Sequence, residues 1–393
     1  MTIEAANEVG VRGRRLRLGM VGGGRGAFIG AVHRIAARLD DQYELVAGAL
    51  SADPERARAS AADIGITPER AYTDYRAMAA AEAKRSDGID VVAIVTPNHL
   101  HHPNARAFLD AGIHVICDKP LSRTLEEAED LVRAVKASGK VFVLTHNYTG
   151  YPMMRHAREM VAAGELGPIR IVQVEYPQEW LSTPLERTGQ KQAEWRTDPA
   201  RSGAGGCLGD IGTHAFNLAE FVTGLRAERV AAELTTFVPG RPLDDNVQMM
   251  LRFAGGARGS LWASQVAPGN ENGLQLRVYG EKAAFTWRQD NPNYLHFTVF
   301  GKPPSLITRG GPAAGPAAAH ATRIPAGHPE GYLEGFAQIY ADAAALIRAH
   351  DQKRKPEPSA ALLPTAEDGL RGMRFIAATV ESSRRDSAWV SIE

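Results

Sequence analysis

The stretch LRLGMVGGGRG, residues 16–26, decides the fold of this chain. Its first six residues are mostly apolar and predict a strand, and a run of glycines follows directly. The next residues, 29–39, have the apolar spacing of a helix. Glycines between a strand and a helix let the backbone approach a phosphate group, which then lies at the helix N-terminus. The stretch therefore predicts a dinucleotide-binding unit.

Strands and helices alternate from this stretch to about residue 145. The run VVAIV at 91–95 is continuously apolar, as expected of a parallel strand buried on both faces. We predict a doubly wound α/β Rossmann domain over residues 15–147, after a flexible tail at 1–14. Its further strands are predicted at 44–50, 113–117 and 141–144, and its further helices at 54–64, 104–111 and 125–138.

The pattern changes after residue 151, where strand-like segments follow one another without helices between them. Such an order predicts a large open, mainly antiparallel sheet in an α+β substrate-binding and oligomerisation domain, residues 148–393. The predicted strands are 169–176, 229–237, 247–253, 259–265, 274–279, 284–287 and 388–392. The predicted helices are 153–163, 330–349 and 366–383, and the segments 181–204 and 301–329 are predicted to be long loops.

The composition does not favour several classes of partner. The 393 residues carry 45 Lys and Arg against 45 Asp and Glu, and such a balance does not favour nucleic acid or a charged membrane surface. The sequence has neither a signal peptide pattern nor an apolar run long enough to span a bilayer. Cys117 and Cys207 are far apart and have no metal-binding spacing, so we expect a reducing cytoplasm.

The end of the second strand should distinguish NAD from NADP. An acidic residue there would accept a hydrogen bond from the ribose 2′-hydroxyl, whereas Ser51 followed by Arg56 suits a 2′-phosphate. Alternatively, Ser51 and Asp53 cap the next helix and the side chain of Arg56 is solvated. The cofactor is therefore predicted as NAD or NADP, with NADP slightly favoured.

Polar residues also follow the strands predicted at 91–95 and 113–117, at the edge where ligands bind in open α/β sheets. Thr96, Pro97, Asn98 and His101 follow the first of them, and Asn98 and His101 are expected to contact the cofactor or cap a helix. The nearby histidines at 99, 101 and 102 lack Cys or carboxylate partners, so no metal site is predicted. Lys119 follows the second strand and would place a positive charge beside a reacting hydroxyl.

Asp210 and His214 are four residues apart and follow a glycine-rich segment, 203–206. If a helix begins near Asp210, the two side chains lie on one face and the carboxylate orients the imidazole. Because imidazole titrates near neutral pH, such a pair is suited to proton transfer. From this segment alone, a helix cap and a structural histidine are an equally good interpretation.

Taken together, these motifs resemble the glucose-fructose oxidoreductase, inositol dehydrogenase and rhizopine-catabolism (Gfo/Idh/MocA) family. They occur in the family's order from about residue 15 to the end of the chain. In the glycine loop the strict spacing falls on Gly22, Gly24 and Ala27. The loop is about three residues longer than in the family, and Gly30 becomes the third glycine if these residues are an insertion.

The resemblance implies an NAD(P)-dependent dehydrogenase that oxidises a secondary hydroxyl of a cyclic polyol, sugar or glycoside. It assigns catalysis to Lys119, which holds the hydroxyl oxygen, His214, which takes the proton, and Asp210, which orients His214. It implies a homodimer or homotetramer formed through the C-terminal sheet. The residues expected at the cofactor are Gly22, Gly24, Arg25, Gly26, Ala27, Phe28, Ile29, Ser51, Arg56, Thr96, Pro97, Asn98, His101, Asp118, Lys119, Asn147, Trp195, Arg196 and Tyr332. Those expected at the substrate are Lys119, Tyr148, Trp180, Asp210 and His214.

Departures from the family pattern leave alternatives open. Asp118 stands where the family has glutamate, and residues 148–152 depart from an Arg-Phe-x-Pro motif, which predicts a distinct substrate pocket. Two other functions within the family are a glycoside hydrolase that oxidises, eliminates and re-reduces, and a dinucleotide-binding regulator. Net NADH formation would oppose the hydrolase, and retention of Lys119, Asp210 and His214 opposes the regulator.

Overall fold

A computed structural model describes residues 14–393, so nearly all of the predicted tail lies outside the described residues. The chain divides into two compact units. The first runs to Gly150 and includes Tyr332–Leu370, and the second comprises Tyr151–Gly331 and Arg371–Glu393. The sequence predicts a single boundary between the two domains, between residues 147 and 148. The structure differs because the helix that begins at Tyr332 packs on the first helix of the chain.

The described residues form the following elements, numbered along the chain. The strands are β1 (Leu16–Gly22), β2 (Tyr43–Ala49), β3 (Val91–Val95), β4 (His114–Cys117), β5 (Phe142–Leu144), β6 (Ile169–Pro177), β7 (Ala227–Thr235), β8 (Asn246–Phe253), β9 (Arg258–Ser264), β10 (Gln275–Gly280), β11 (Ala283–Arg288), β12 (Tyr294–Val299), β13 (Ser305–Thr308) and β14 (Val390–Ser391). The α-helices are α1 (Phe28–Leu39), α2 (Pro54–Asp63), α3 (Tyr75–Glu82), α4 (His101–Asp110), α5 (Leu125–Ser138), α6 (Pro152–Ala162), α7 (Lys191–Arg196), α8 (Pro199–Ser202), α9 (Thr213–Thr223), α10 (Pro316–Ala321), α11 (Tyr332–Asp351) and α12 (Ala366–Arg384). Short 3₁₀ helices span Pro68–Arg70, Asn98–Leu100, Asn147–Gly150, Leu185–Arg187, Ala254–Gly256 and Ala360–Leu362, and a π-helical turn spans Leu208–Gly212.

The first unit contains a five-stranded parallel sheet in the order β2-β1-β3-β4-β5. Every residue of β3 is buried, as its continuous apolar sequence predicts. The apolar face of α11, including Phe336, Ile339 and Tyr340, belongs to the same hydrophobic core. The predicted Rossmann architecture is confirmed.

The second unit contains a nine-stranded sheet in the order β13-β12-β11-β10-β6-β9-β8-β7-β14. Its neighbouring strands pair antiparallel except for β6 and β9, which are parallel. The prediction of a mainly antiparallel sheet is therefore confirmed. Helix α9 packs on α6 and on β6, whereas alternate residues of β6 and β8 on the other face of the sheet are partly exposed.

The two predicted long loops contain regular structure. Segment 181–204 includes α7 and α8, and Asp198 caps α8 through its side chain before a proline at the first helical position. Segment 301–329 includes β13 and α10, and β12 and α3 were not predicted either. Each of these elements is at most eight residues long, so it spans too few turns or alternations to give a clear periodic signal. Within residues 14–393, no helix is long and apolar enough to cross a membrane.

Candidate active site

The glycine loop between β1 and α1 leaves no space for a side chain at Gly22 or Gly24. A Cβ on Gly24 would lie 2.6 Å from the carbonyl oxygen of Leu50, and Gly22 has a φ of +83°, which favours glycine. Helix α1 has no acidic residue in its first turn, and its N-cap, Ala27, has no side-chain cap. The first N–H groups of α1 therefore remain available to an anion such as a pyrophosphate.

Gly30 serves as the third glycine of the dinucleotide-binding pattern. A Cβ on Gly30 would lie 2.3 Å from the Cα of Gly23, so only glycine allows this approach of helix and loop. Ala27 instead precedes the helix and donates its N–H to the carbonyl of Gly24 at 3.0 Å. The helix that follows the loop begins at Phe28, directly after Ala27.

Both interpretations of the segment after β2 find support. Asp53 caps α2 by accepting the N–H of Arg56 at 2.7 Å, and the Ser51 hydroxyl accepts the N–H of Asp53 at 3.2 Å. The guanidinium of Arg56, however, turns to the glycine loop and donates to the carbonyl of Arg25. The side chain of Arg25 instead binds Asp63, with its Nε atom 2.6 Å from the Asp63 Oδ2 atom. Arg56 thus lies beside the glycine loop, and its role in the choice between NAD and NADP stays a prediction.

The segment after β3 is packed on the peptide that follows β4. The two ring nitrogens of His101 lie 2.7 Å from the carbonyl oxygen of Pro120 and 2.8 Å from that of Thr96. His101 is 1% exposed and Asn98 is also buried, whereas Thr96 and Pro97 are partly exposed. No side chain caps α4. The imidazole of His101 therefore faces backbone carbonyls, and a contact with the cofactor remains a prediction.

Asp118 and Lys119 follow β4 and are partly exposed. The Asp118 Oδ1 atom accepts hydrogen bonds from the Lys119 N–H and from the Thr145 hydroxyl, both at 2.9 Å. Asn147 and Tyr148 lie on the short helix after β5 and are buried, and Tyr332 begins α11 with its ring 5.2 Å from that of Phe336. The sequence did not lead to a prediction for Thr145, although a polar residue directly after β5 lies at the edge of the sheet where ligands bind.

The negative charge of the Asp118 carboxylate affects the pKa of three buried histidines. Burial lowers the pKa of His33 to about 4 and that of His146 to about 3, and it also lowers the pKa of His101. In each case the negative charge of Asp118 opposes the effect of burial. All three rings are therefore neutral at pH 7.

In the second unit, Asp210 lies within the π-helical turn at Leu208–Gly212. Sequence analysis placed Asp210 at the beginning of an α-helix, but the helical backbone already includes residue 208 and α9 begins at Thr213. The Asp244 carboxylate fixes the start of the turn by accepting the N–H groups of Gly206 at 2.7 Å and Leu208 at 2.8 Å. Because a π turn bonds i to i+5, the spacing of four residues no longer guarantees that Asp210 and His214 are stacked.

The Asp210 carboxylate is held by two side chains of its own unit. Its Oδ2 atom accepts from the Arg196 Nε at 3.2 Å and from the Gln265 Nε2 at 2.9 Å. The Arg196 guanidinium lies 4.3 Å from the centre of the Trp195 ring and 6.0 Å from that of Trp180. The structure thus brings together four predicted residues and adds Gln265, which lies directly after β9. Its distance from Asp210 along the chain gave no local signal.

His214 is buried on the first turn of α9, with its ring 6.4 Å from that of Tyr176. The Tyr176 hydroxyl and the Gln178 amide both donate to the Asn272 side-chain oxygen, at 2.8 and 2.7 Å. Trp180 donates its indole N–H to Gln178 at 3.1 Å. An imidazole beside aromatic rings and a network of amides and hydroxyls is suited to hydroxyl-bearing ligands.

One cluster of potential metal ligands lies in the described residues, away from the histidines at 99–102. It comprises His114, His350 and Asp351, whose ligand atoms lie within 4.8 Å of one another. His114 Nδ1 accepts the N–H of Val141 at 2.9 Å, so the neutral ring carries its proton on Nε2, which faces Asp351. That nitrogen has no lone pair to offer a metal, and the cluster is a hydrogen-bonded group.

The five-stranded parallel sheet with its glycine loop is the architecture of a dinucleotide-binding domain. The family model described as "Oxidoreductase family, NAD-binding Rossmann fold" matches residues 16–148, and that described as "GFO/IDH/MocA C-terminal domain" matches residues 154–286. The chain belongs to the GFO/IDH/MocA family. The resemblance found in the sequence, and with it an enzyme that uses NAD or NADP, is thereby confirmed.

Particular relatives act on polyols and sugars. The solved oxidoreductase from Sinorhizobium meliloti is 55% identical, with a TM-score of 0.86, and covers 96% of this chain and 100% of its own. An inositol dehydrogenase homologue from Azotobacter vinelandii, solved with NADH and myo-inositol, is 38% identical with a TM-score of 0.89 over 96% and 98% of the two chains. Levoglucosan dehydrogenase of Pseudarthrobacter phenanthrenivorans is 31% identical over 72% of this chain and 76% of its own.

Proposed function

We propose that this protein oxidises a secondary hydroxyl group of a cyclic polyol or sugar and transfers the hydride to NAD or NADP. The observation that carries the proposal is the presence of Lys119 directly after β4, of Asp210 in the π-helical turn and of His214 on the first turn of α9. These residue types suit alcohol oxidation, and relatives of the chain include dehydrogenases of inositols and sugars. When bound, the nicotinamide ring supplies the hydride acceptor.

The first unit fits a dinucleotide. The glycine loop from Gly22 to Gly30 admits close approach, and the uncapped start of α1 offers N–H groups to the pyrophosphate. The residues at the carboxyl ends of β2, β3 and β4 lie along the same edge of the parallel sheet as this loop. We assign Ser51, Arg56 and the segments 96–98, 118–119 and 147–148 to contacts with the cofactor or with the substrate next to it.

The proposed proton chemistry gives each of three residues one role. His214 removes the proton from the substrate hydroxyl, and the charge of Lys119 stabilises the oxygen as it becomes negative. Asp210 stabilises the protonated imidazole and is itself fixed by Arg196 and Gln265. In the reverse direction, His214 returns the proton to a carbonyl oxygen.

The polar network beside His214 supports a carbohydrate or polyol substrate. Tyr176 and Gln178 donate hydrogen bonds to Asn272, and Trp180, which donates to Gln178, adds an aromatic face. Sugars present alternating hydroxyl groups and apolar ring faces, which such a surface complements. Tyr148, which was expected at the substrate, is less accessible than expected, because it is only 2% exposed.

A substrate panel tests the proposal. Reduction of NAD and NADP is followed by absorbance with myo-inositol, scyllo-inositol, levoglucosan, D-xylose and D-glucose. We expect NADH or NADPH to accumulate with at least one of them, and turnover to fall by about 10³-fold in Lys119→Ala and in His214→Ala while NADH still binds. Near-full turnover in either variant would overturn the assignment. Release of sugar from a glycoside without accumulation of reduced cofactor would favour the hydrolase alternative.

We also propose that the open face of the nine-stranded sheet binds a second copy of the chain. Ile171 is 45% exposed and Met250 is 57% exposed on this face, and a second copy seated on it would cover both apolar side chains. Sedimentation velocity should show a dimer or tetramer that Met250→Lys shifts to smaller species. Phe300→Lys is the control, because Phe300 is 88% exposed outside this face.

We place the reaction in the cytoplasm. Both cysteines are free, buried thiols in the structure, and burial raises the pKa of each. Free thiols persist most readily in a reducing compartment. Fractionation of the native host, with activity assayed in the soluble and membrane fractions and outside the cell, tests this placement.

A further inference from the structure

The peptide of Lys119 is connected to the strands on both sides of β4. Lys119 directly follows Asp118, after β4 ends at Cys117, and it precedes Pro120. β4 pairs with β3 on one side and with β5 on the other. Thr145, which follows β5, forms a hydrogen bond with Asp118. His101, which lies in the segment after β3, contacts the carbonyl of Pro120.

On the N-terminal side the connection runs through Asp118. Its Oδ1 atom accepts the Lys119 N–H and the Thr145 hydroxyl, both at 2.9 Å. Thr145 is fully buried, and its N–H donates to the carbonyl of Cys117 at 2.9 Å. Two donors of its own unit therefore occupy this oxygen and hold the carboxylate at the strand end.

On the C-terminal side the connection runs through His101. Its Nδ1 atom lies 2.7 Å from the carbonyl oxygen of Pro120, and its Nε2 atom lies 2.8 Å from that of Thr96. Burial keeps this ring neutral, so it donates its one proton to either carbonyl. Packed at 1% exposure between the two segments, the ring fixes the distance between the end of β3 and the residue after Lys119.

We propose that Thr145, acting through Asp118, and His101, acting through Pro120, are positioning residues that aim the Lys119 side chain at the substrate hydroxyl. The aspartate that stands where the family has glutamate belongs to this arrangement. Its shorter side chain keeps the carboxylate beside the Thr145 hydroxyl and the Lys119 N–H. This inference rests on the catalytic role proposed for Lys119 and adds Thr145, which the sequence did not indicate, together with a positioning role for His101.

Thr145→Val tests the positioning role with little change in volume. Because a misplacement of about 1 Å in a catalytic group costs up to about 100-fold in rate, we expect kcat/KM to fall by about 10-fold or more with the fastest substrate of the panel. The dissociation constant of NADH should not change, and the primary deuterium isotope effect should increase as hydride transfer becomes more rate-limiting. Thr379→Val is the matched control, because Thr379 is equally buried and its hydroxyl donates within helix α12, to the carbonyl of Phe375.

Two variants of Asp118 separate positioning from a direct contact with the cofactor. Asp118→Asn keeps an Oδ1 acceptor for both donors and should lose less kcat/KM than Asp118→Ala, which removes the acceptor and should match or exceed the loss in Thr145→Val. Equal losses in both Asp118 variants, with a weakened NADH complex, would overturn the inference.

The Lys119→Ala variant distinguishes failure of this inference from failure of the proposed function. If Lys119→Ala is inactive and Thr145→Val equals the Thr379→Val control, the positioning role is overturned and the function stands. If Lys119→Ala keeps full turnover, the proposed function fails and the positioning role with it. Thermal unfolding of each variant shows whether a loss of activity reflects a loss of folded protein.

Discussion

Gly30 lies on the first turn of α1 so close to Gly23 that a Cβ on Gly30 would be 2.3 Å from the Cα of Gly23 and 2.9 Å from its carbonyl oxygen. Both atoms belong to the backbone and cannot rotate away as a side chain would. The contact fixes the start of the helix against the turn that follows β1. The same segment presents the N–H groups proposed to hold the pyrophosphate.

Gly30→Ala should therefore weaken dinucleotide binding before it unfolds the protein. Inserting a methyl group into a packed backbone contact costs about 1–3 kcal/mol, and the loop must shift to relieve it. We expect the NADH dissociation constant to rise by about tenfold or more and the melting temperature to fall. Gly372→Ala in α12 is the control, since a Cβ there meets nothing within 4 Å, and it should leave binding unchanged. Unaltered NADH affinity in Gly30→Ala would remove this loop from the cofactor site.

The choice between NAD and NADP should depend on Ser51 and Arg56. Arg56 turns to the glycine loop, where its guanidinium is suited to a 2′-phosphate. We expect Arg56→Ala to lower kcat/KM for NADP by about tenfold with little effect on NAD, and Ser51→Asp to favour NAD. Arg58→Ala is the matched control on the same helix, because Arg58 is also exposed. Equal effects of Arg56→Ala and Arg58→Ala on the two cofactors would show that Arg56 is only a surface charge.

The sequence predicted the first unit well because its signals are local. A strand buried on both faces must be continuously apolar, as β3 is, and the parallel arrangement brings the ends of all five strands to one edge. Motifs at 22–30, 96–98 and 118–119 therefore identified this edge without coordinates. Only the contacts that hold them, such as the one between Thr145 and Asp118, required the structure.

The second unit was predicted less completely because its site depends on contacts distant in sequence. Gln265 binds Asp210 across 55 residues, and Asp244 fixes the turn at 206–208 across 36 to 38 residues. No periodicity in the sequence reports such contacts. The π-helical turn around Asp210 was also invisible, because its residues have ordinary helical spacing and differ only in hydrogen bonding.

Stability should fall as the pH drops below the ordinary pKa of histidine. His33 is fully buried and its Nδ1 lies 2.9 Å from the Tyr340 hydroxyl, while burial lowers its pKa to about 4 from 6.5. Asp118 opposes this shift and Arg34 adds to it. Between pH 6.5 and 4 the unfolded chain binds a proton at this residue that the folded chain does not, so the stabilisation present above pH 6.5 is lost by up to about 1.4 kcal/mol per pH unit.

His33→Gln should accordingly flatten the dependence of the melting temperature on pH between pH 7 and 4.5. Its melting temperature at pH 7 should also be lower, because the contact with Tyr340 is altered. The measurement is calorimetry at half-unit steps, with the exposed His296→Gln as control. A slope equal to that of the unmodified protein would show that His33 does not titrate abnormally.

Gln265 should contribute to catalysis through Asp210. Its Nε2 atom donates to the Asp210 carboxylate at 2.9 Å, and the residue is 2% exposed. A hydrogen bond to a charged acceptor is worth about 1.5–3 kcal/mol, so Gln265→Met should lower kcat/KM for the polyol by about 10-fold to 100-fold. The dependence of kcat/KM on pH should also change, although Arg196 still donates to the same oxygen. Gln338→Met is the matched control, because Gln338 is also buried and donates to an aspartate, Asp342, at 2.9 Å on α11. Equal kcat/KM and pH profiles in the two variants would show that the bond to Asp210 serves only the fold.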